Sequence, residues 1–596
     1  MEPSRFGRAR DALRQYYGFS DLRDGQARAI RSILAGRDSL VVLPTGGGKS
    51  LCYQLPALVL PGLTVVVSPL IALMDDQVQG LRRRRIAAAA LHSGLKPSEE
   101  AHTWRSVESG VLQLMYLSPE RLLSPRTLAR LTGRRIAIFA VDEAHCVCEW
   151  GYDFRPDYLR LAAARDKLAP FATMALTATA TPATRRDIVR VLELRQPIVV
   201  VSGFDRPNLY FGVERVGPLR DRITRIRDLV RSAAPDPVIV YAGTRTSVEA
   251  VARSLAHPNG AVDFYHAGRT ANDRTSVQER FASGSLRVLV ATNAFGMGVD
   301  KPDVRLVVHL APPGSIEDYY QEAGRASRDG APGRCLLLAG DDDRELHERF
   351  LKRSYPPEAR ILAFWERLVA LAGNDDHVIL DPPGQQGSGL HRLTPSDSDV
   401  LAILSRHGLV SFALAPPEAW RVRLLVSHAH AASCPLPLSV DASRLMQRLL
   451  KIGTPPRGDD VPLAGLLTTL TPRQAAAAVG ELTRQRLLNL APPSTHVRFL
   501  VSADARSGGR LPIDWSLRRT RAGMERARLD AMQGYVGTRR CRRRFLLRYF
   551  GQHPAPLACG DCDNCTMVGS GLHGRLAVFL RAAFRGARND SRLRAR

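Results

Sequence analysis

The sequence has little cysteine and no long apolar run. No stretch of 18 consecutive apolar residues occurs in the 596-residue chain, so no transmembrane helix and no membrane partner are predicted. Residues 1–14 carry charges throughout and have no apolar core, which excludes a secretory signal. Nine cysteines, an odd number, do not predict a disulfide framework. We therefore expect a reducing, cytoplasmic compartment, with any cysteine cluster reserved for metal.

Lysine is also scarce, although the chain is strongly basic. Only six of the 84 Lys and Arg residues are lysine, while the formal net charge is +26 and the isoelectric point is about 10.4. A charge of this size predicts a polyanionic partner, most often nucleic acid. The alternative is compositional, because a GC-rich genome raises arginine usage everywhere. The length predicts three to four domains with ample apolar residues for several cores.

A phosphate-binding loop is predicted in the first 50 residues. The strand-like run Leu40–Leu43 is followed by Pro44 and then by a glycine-rich loop that opens a helix-like segment. The glycines let backbone N–H groups face an anion, Lys49 would reach the β- and γ-phosphates, and Ser50 would bind Mg²⁺. The strict phosphate-loop pattern is not met, because Leu43 occupies its first glycine position. A glycine-rich turn before a surface lysine is the alternative. The loop's candidate nucleotide-binding residues are Thr45, Gly46, Gly47, Gly48, Lys49 and Ser50.

A carboxylate pair follows the predicted strand Ile136–Val141. Near-continuous apolar strands alternate with helices over the first 200 residues, which predicts a parallel α/β sheet whose ligands bind at the carboxyl ends of the strands. Asp142 and Glu143 lie at such an end, where buried carboxylates are costly unless they are used. Asp142 would hold Mg²⁺ through water, and Glu143 would polarise the attacking water.

Two further groups of residues flank this predicted hydrolysis site. Gln26 follows an aromatic-rich stretch and suits an adenine ring, although a helix-capping turn is equally compatible. Trp150 and Phe154 alternate with charges, including Arg155, directly after the carboxylate pair. Aromatic side chains there would stack on nucleic-acid bases, and packing beneath the sheet is the alternative.

The strand–helix alternation restarts after a hinge-like stretch at residues 202–208. This second half has no phosphate loop. It carries Arg325 and Arg328, which are three apart and would share one face of a predicted helix. Such a pair is expected to act as arginine fingers on a γ-phosphate, with a solvated basic face as the alternative.

These stretches together resemble a known family, the RecQ family of superfamily 2 DNA helicases. The resemblance extends over residues 17–340 in the family's order, and it implies two RecA-like lobes with ATP between them and single-stranded DNA across their top, moving 3′→5′. It assigns adenine recognition to Gln26, and coupling to DNA to Trp150, Phe154 and Arg155. Ser327 stands where the family usually has glycine, a change that the helix is expected to tolerate. The matching stretches are Phe19–Gln26, Pro44–Ser50, Val67–Ile71, Asp142–His145, Trp150–Pro156, Phe204–Asn208, Ala294–Gly298 and Gln321–Arg328.

The C-terminal part contains the predicted metal site. Cys541, Cys559, Cys562 and Cys565 have the spacing C-x₁₇-C-x₂-C-x₂-C, which predicts a tetrahedral structural Zn²⁺ site, with an iron–sulfur cluster as a minor alternative. The resemblance also implies a zinc module, with Cys541 on a helix. That module usually follows the second lobe directly, whereas here residues 346–514 intervene.

The intervening region gives a weaker signal. Residues 346 to about 390 are expected to be helical, ending in the linker 381–389. Thr471 and Pro472 would begin a helix that runs to about residue 486, followed by a β-prone stretch at 496–501, and this order favours a winged helix or, equally well, a plain helical insertion. Eleven arginines lie between Arg518 and Arg548 and predict a phosphate-contacting surface.

The predicted architecture is an α/β protein with two tandem RecA-like lobes, a mostly helical accessory region and a small zinc module with four cysteine ligands. The lobes are assigned to 1–205 and 206–345, the accessory insertion to 346–514, the basic helices with the zinc module to 515–570 and a basic tail to 571–596. The predicted function is ATP-, Mg²⁺- and Zn²⁺-dependent DNA unwinding in recombination and repair, in a nucleoid-associated bacterial protein. Single-strand-binding and recombination proteins are candidate partners. An RNA helicase and a DNA-binding scaffold with an inactive motor are the alternatives.

Overall fold

The computed structural model divides into two compact units. The first unit comprises Met1–His347 and Gly523–Arg596, and the second comprises Glu348–Ala522. Among the residues that the structure describes, no helix is long and apolar enough to cross a bilayer. The described residues are 4–44, 46–92, 94–147, 156–256, 261–295, 301–372, 377–380, 394–412, 421–424, 439–451, 461–462, 474, 478–479, 481–482, 488–491, 497–501, 511–552 and 558–569.

The first lobe of the first unit is built on a parallel sheet of seven strands, in the order β3-β4-β2-β5-β6-β1-β7. Most of these strands are buried along their whole length, as their apolar sequences predict. The strands are β1 (Ser39–Val42), β2 (Leu63–Val67), β3 (Ala88–Leu91), β4 (Leu114–Leu117), β5 (Ile136–Val141), β6 (Ala172–Thr177) and β7 (Ile198–Val201).

Helices surround this sheet. A π-helical segment, Leu13–Tyr17, follows the first helix, and 3₁₀ segments lie at Ala144–Val147 and Pro156–Arg160. Several helices begin with a Ser or Thr cap followed by proline, a strong start signal. The α-helices are α1 (Arg5–Ala12), α2 (Asp24–Leu34), α3 (Leu51–Ala57), α4 (Ile71–Arg83), α5 (Pro97–Glu108), α6 (Pro119–Leu122), α7 (Pro125–Leu131), α8 (Leu161–Leu168) and α9 (Pro182–Val191).

The second lobe repeats this design with a parallel sheet of six strands, in the order β10-β11-β9-β12-β13-β8. The linker 202–208 joins β7 to β8, so the predicted restart of the α/β alternation is confirmed. The strands are β8 (Leu209–Arg215), β9 (Val238–Tyr241), β10 (Val262–Tyr265), β11 (Val288–Ala291), β12 (Leu306–His309) and β13 (Gly333–Ala339). The helices are α10 (Leu219–Ser232), α11 (Arg245–Leu255), α12 (Ala271–Ser283) and α13 (Ile316–Ala323). The next helix, α14 (Asp343–Ser354), begins in the first unit and ends in the second.

The second unit combines helices with two small antiparallel sheets, in the orders β14-β19-β15 and β17-β16-β18. The expectation of helix to about residue 390 is wrong, because α15 ends at Ala372 and a strand begins at His377. The linker 381–389 and the predicted helix start at Thr471 and Pro472 lie outside the described residues. The elements are α15 (Glu358–Ala372), β14 (His377–Leu380), α16 (Pro395–Arg406), β15 (Val410–Phe412), β16 (Arg421–Leu424), α17 (Val440–Lys451), β17 (Val461–Pro462), β18 (Leu488–Ala491) and β19 (Val497–Val501).

The chain then returns to the first unit through three helices: α18 (Trp515–Gly537), α19 (Arg542–Tyr549) and α20 (Asp563–Gly569). Tyr535 of α18 packs against Tyr319 of the second lobe, with ring centroids 5.1 Å apart. Cys562 forms a parallel β-bridge with Phe211 of β8. The cysteine module therefore docks on the edge strand of the second lobe, although residues 348–522 separate the two in sequence.

Candidate active site

The glycine-rich loop lies between β1 and α3, at the carboxyl end of its strand. Gly46 and Gly48 have φ angles of 77° and 73°, a region that strongly favours glycine. The Gly47 N–H donates to the Pro44 carbonyl at 2.8 Å, which closes a tight turn. A Cβ atom on Gly47 would lie 2.8 Å from that same oxygen. The loop thus requires glycine for its shape. Thr45, which was predicted to bind nucleotide, lies outside the described residues.

The glycine-rich loop ends in two polar residues, Lys49 and Ser50. Ser50 is the N-cap of α3, so the positive end of that helix faces the loop. The Lys49 ammonium is 3.5 Å from the Leu43 carbonyl oxygen and interacts electrostatically with Asp142. Lys49 is therefore close enough to Asp142 for its charge to favour the ionised carboxylate.

Asp142 and Glu143 follow β5 and are both buried, at 7% exposure each. The Glu143 N–H donates to Asp142 Oδ1 at 3.0 Å, and Glu143 has a φ of 48°. Burial and the neighbouring Glu143 carboxylate raise the pKa of Asp142 to about 7, while Lys49 opposes the rise. A cation bound beside Asp142 would favour the ionised carboxylate, because an opposite charge lowers the pKa of a carboxyl group.

A histidine completes this carboxylate cluster. His145 Nδ1 lies 3.4 Å from Glu143 Oε2 and 2.8 Å from the hydroxyl oxygen of Thr177, at the end of β6. Thr177 in turn exchanges hydrogen bonds with the backbone of Thr179. This chain of contacts connects the carboxylate pair to the strand end that precedes α9.

Gln26 lies directly against the phosphate loop. Its Nε2 donates to the carbonyls of Gly47 and Gly48 at 3.1 and 3.2 Å, and its Oε1 accepts the Arg23 N–H at 3.0 Å. The Arg23 guanidinium donates to the Gly46 carbonyl at 3.1 Å. Arg23 was not predicted from the sequence, where an arginine near a turn has no distinguishing signal.

The two predicted arginine fingers occupy different environments. The prediction that they share a helix is wrong, because α13 ends at Ala323 and Ser327 has a φ of 44°, outside the helical region. Arg328 lies over the phosphate loop, with Cγ 3.5 Å from the position of a Cβ on Gly46. Arg325 is buried inside the second lobe beside Tyr241 and Phe295.

Two residues of the linker hold the loop that carries Arg328. Arg206 donates to the carbonyls of Gly324, Ala326 and Ser327, at 3.2, 2.8 and 3.0 Å. Asn208 also donates to the Ser327 carbonyl, at 3.0 Å. From the sequence this stretch was predicted only as a hinge, although the resemblance included it.

The phosphate loop, the linker and the arginine loop line one open cavity of about 270 Å³. Both lobes therefore contribute to it. Trp150, Phe154 and Arg155 lie outside the described residues. The lining residues are Arg23, Gly25, Gln26, Leu43, Pro44, Gly46, Gly47, Ser202, Gly203, Asp205, Arg206, Pro207, Asn208, Ser327, Arg328 and Gly330.

The four predicted metal ligands come together. The Sγ atoms of Cys541, Cys559, Cys562 and Cys565 all lie within 4.8 Å of one another, and those of Cys559 and Cys565 are 4.0 Å apart. Tetrahedral Zn²⁺ with Zn–S bonds of about 2.3 Å would separate its ligands by about 3.8 Å. The cluster thus fits zinc. Cys541 is the N-cap of α19 rather than a residue within the helix.

The arginine-rich segment is not a uniform surface, so the prediction of one phosphate-contacting face is wrong for three of its members. Arg542 and Arg543 are buried, and Arg528 has a side-chain exposure of only 14%. Arg528 lies 2.9 Å from Glu525, and Arg542 donates to Asp563 at 2.6 Å. Their sequence spacing did not distinguish these internal arginines from exposed ones.

The molecule has two parallel-sheet lobes. One lobe carries the phosphate loop and the carboxylate pair, and the other carries Arg328. This arrangement defines an ATPase of the superfamily 2 helicase class. Family models agree: DEAD/DEAH box helicase matches residues 23–188, the helicase conserved C-terminal domain matches 221–330, and RecQ zinc-binding matches 496–566. The chain belongs to the RecQ family of ATP-dependent DNA helicases.

Individual relatives support the assignment. A probable ATP-dependent DNA helicase RecS from Bacillus subtilis is 39% identical, over 71% of this chain and 84% of its own length. ATP-dependent DNA helicases RecQ from Pasteurella multocida and Bacillus subtilis are 42% and 41% identical, and the chain spans 63% and 58% of their lengths. A solved structure of the helicase MrfA bound to DNA and AMPPNP aligns with 68% of this chain and 60% of its own, at a TM-score of 0.49 and 18% identity, a likeness too weak for further inference.

Proposed function

We propose that this protein couples ATP hydrolysis to 3′→5′ movement on single-stranded DNA and to the unwinding of duplex DNA. The observation that carries the proposal is the position of Arg328, from the second lobe, over Gly46 in the phosphate loop of the first lobe. A nucleotide bound at that loop would touch both lobes. Hydrolysis would therefore change how the lobes are held together, which is the basis of stepwise movement.

Each residue of the site has a proposed task. Lys49 and the N-terminus of α3 bind the β- and γ-phosphates, and Arg328 stabilises the charge that develops on the transferred phosphoryl group. Glu143 accepts a proton from the attacking water, which it holds in line with the γ-phosphate. The Ser50 hydroxyl and the Asp142 carboxylate offer oxygen ligands, so they fit Mg²⁺, which would neutralise phosphate charge when bound.

Phosphate contacts are proposed for a basic stripe beside the cysteine cluster. Arg540, Arg544 and Arg548 line an open cavity of about 820 Å³ next to Cys541. Arg544 and Arg548 lie one turn apart on α19, and none of the three forms an ion pair within the described part of the chain. Unpaired guanidinium groups along one helix face suit the regular charge spacing of a DNA backbone.

A winged helix in the second unit remains a proposal. The helices α15 and α16 and the antiparallel sheet order β14-β19-β15 support it, with β16, α17, β17 and β18 lying between β15 and β19 in the chain. The helix α16 is acidic at its start, where Asp397 pairs with Arg367 at 3.1 Å and Asp399 pairs with Arg353 at 3.1 Å. This helix is therefore poorly suited to enter a DNA groove, and the basic stripe on α19 is the better candidate for phosphate contacts.

The proposal is tested by ATP turnover in the presence of single-stranded DNA or RNA of equal length. DNA should stimulate hydrolysis strongly and RNA weakly. Equal stimulation by RNA would favour an RNA helicase, and no turnover at saturating DNA would favour a scaffold with an inactive motor. We further propose a cytoplasmic, nucleoid-associated role in recombination and repair, with single-strand-binding and recombination proteins as candidate partners.

A further inference from the structure

The cysteine module reaches the linker between the two lobes through an aromatic stack. Phe550, directly after α19, stacks on Phe204 of the linker with ring centroids 4.6 Å apart and an interplanar angle of 8°. Tyr320 of α13 packs on the same two rings, and its hydroxyl donates to the Phe204 carbonyl at 2.7 Å. Phe204 and Phe550 are almost fully buried. The stack is thus part of the protein interior and fixes one point of the linker.

A buried arginine of the same helix fixes the rest of the linker. Arg543 donates to the Leu209 carbonyl at 2.8 Å and to the Pro207 carbonyl at 3.4 Å. Its Nε lies 3.7 Å from the Asp205 carboxylate. Arg543 is only 8% exposed, so nucleic acid has little access to it. The side chain holds the protein's own backbone.

The first lobe contacts the same end of the helix. The Arg185 guanidinium, on α9, donates to the Phe550 carbonyl. A Cβ atom on Gly551 would lie 2.7 Å from the Pro182 ring, which shows how closely the two segments approach. The end of α19 therefore contacts the first lobe, the linker and the second lobe together.

The opposite side of the linker faces the nucleotide cavity. Ser202, Gly203, Arg206 and Asn208 line that cavity along with Gln26 and Arg328. Arg206 and Asn208 also carry the hydrogen bonds to the loop that ends in Arg328. A shift of the linker would therefore change both the cavity wall and the position of Arg328.

The other end of α19 is anchored at the cysteine cluster. Cys541 is its N-cap, and Arg542 donates to Asp563 at 2.6 and 2.8 Å. Asp563 in turn accepts the Val213 N–H of β8 at 2.9 Å. Two turns of helix, about 12 Å, thus join the metal cluster to the linker.

We propose that Phe550 and Arg543 are positioning residues for the nucleotide site, and that α19 acts as a strut that transmits the folded state of the cysteine module to the linker between the lobes. Neither residue lines the nucleotide cavity, so each would act only through Phe204 and its linker neighbours. The inference rests on the proposed nucleotide site but not on DNA unwinding.

The test is a double-mutant cycle on nucleotide affinity in the full-length protein. Phe550→Leu and Phe204→Leu are made singly and together, and the dissociation constant of a fluorescent ADP analogue is measured without DNA. Each single variant should raise the dissociation constant about three- to tenfold, the range expected for one aromatic pair. The double variant should have a dissociation constant no higher than that of the single variant that binds the analogue more weakly. Phe545→Leu is the matched control, because that ring lies on the same helix but packs on Tyr535.

Several outcomes would overturn the inference. If Phe550→Leu binds nucleotide like the wild type, or if its effect simply adds to that of Phe204→Leu, the strut does not position the site. If Phe545→Leu weakens binding equally, the effect is general loss of structure. Zinc content and melting temperature are measured for every variant, and Arg543→Lys replaces any variant that does not fold, with the same expected weakening. Wild-type protein that binds the analogue but does not unwind DNA would refute the proposed function without affecting this result.

Discussion

The Cγ atom of Arg328 lies 3.5 Å from the point that a Cβ atom on Gly46 would occupy. The two residues belong to different lobes, and any side chain at position 46 would meet the arginine stem. Gly46 has a φ of 77°, so its backbone geometry favours glycine. This close approach makes the ATP site a property of both lobes rather than of the phosphate loop alone.

The first prediction concerns the two arginines. Arg328→Ala should bind ATP within about threefold of wild type yet hydrolyse it at least about 10³-fold more slowly, as removal of a γ-phosphate finger does in related chemistry. Arg325→Ala should instead lower the melting temperature, since Arg325 is buried beside Tyr241 and Phe295. Single-turnover hydrolysis and thermal unfolding separate these effects. Wild-type turnover in Arg328→Ala would reassign the finger to Arg325 or elsewhere.

The second prediction concerns the general base. Glu143→Gln keeps the shape of the side chain but cannot accept a proton from water. It should retain ATP and DNA binding while losing about 10²–10⁴-fold in turnover. Equilibrium binding and steady-state ATPase assays check this. Hydrolysis that stays within about tenfold of wild type would remove Glu143 from its proposed role.

The third prediction concerns Ser327, which has a φ of 44° and is fully buried. Its hydroxyl donates to the Val304 carbonyl at 3.2 Å and accepts from Arg305 at 3.1 Å. Ser327→Ala loses these bonds and keeps the unfavourable backbone angle, so it should cost about 1–2 kcal/mol of stability. Ser327→Gly loses the bonds but removes the strain, and should be more stable than the alanine variant by about 1 kcal/mol. The measurement is the free energy of unfolding of the two variants in chemical denaturant. If the alanine variant is at least as stable as the glycine variant, the backbone at position 327 is not strained.

The fourth prediction concerns pH. Burial, with the neighbouring Glu143, raises the pKa of Asp142 to about 7, well above its ordinary value near 4. Between about pH 4 and pH 7, Asp142 therefore keeps its proton in the folded protein, whereas the same side chain has lost it in the unfolded chain. Stability from this group is full below about pH 4, falls as the pH rises to about 7, and is then constant. A tenfold change in an acid dissociation constant corresponds to about 1.4 kcal/mol, so the loss of stability between these two pH values is on the order of 4 kcal/mol.

Asp142→Asn, which does not titrate, should remove much of this slope. The measurement is the difference in stability between variant and wild type at pH 5 and pH 8, without nucleotide or Mg²⁺. Relative to the wild type, the variant should be more stable at pH 8 than it is at pH 5. A difference that does not change with pH would show that Asp142 ionises freely in the fold. Asp318, whose pKa burial also raises to about 7, contributes with the same sign in both proteins and cancels in the comparison.

Much of this architecture could be predicted from sequence because it depends on local patterns. Apolar strands that end in glycine or in carboxylates, such as Ile136–Val141 before Asp142, specify both a parallel sheet and the edge at which its site lies. Four cysteines with short spacings specify a metal cluster in the same way. Each of these signals lies within a few dozen residues of sequence.

The features that were missed depend on contacts between distant residues. The path from Phe550 to Phe204 spans more than half the chain, and a phenylalanine after a basic helix carries no local mark of its partner. Arg542 and Arg543 have the same spacing as exposed arginines, and only the fold shows that their partners are Asp563 and a linker carbonyl. The helix through Arg325 was wrongly predicted because the left-handed turn at Ser327 is set by tertiary contacts rather than by a glycine.

The most direct test of the account is strand separation on duplexes that carry a single-stranded tail at either the 3′ or the 5′ end, with and without ATP. ATP-dependent opening of the 3′-tailed substrate alone is the predicted result. The Glu143→Gln variant should bind both substrates and open neither. Preferential opening of the 5′-tailed duplex would contradict the proposed direction of movement, and ATP hydrolysis stimulated by DNA without any opening would contradict the proposed unwinding.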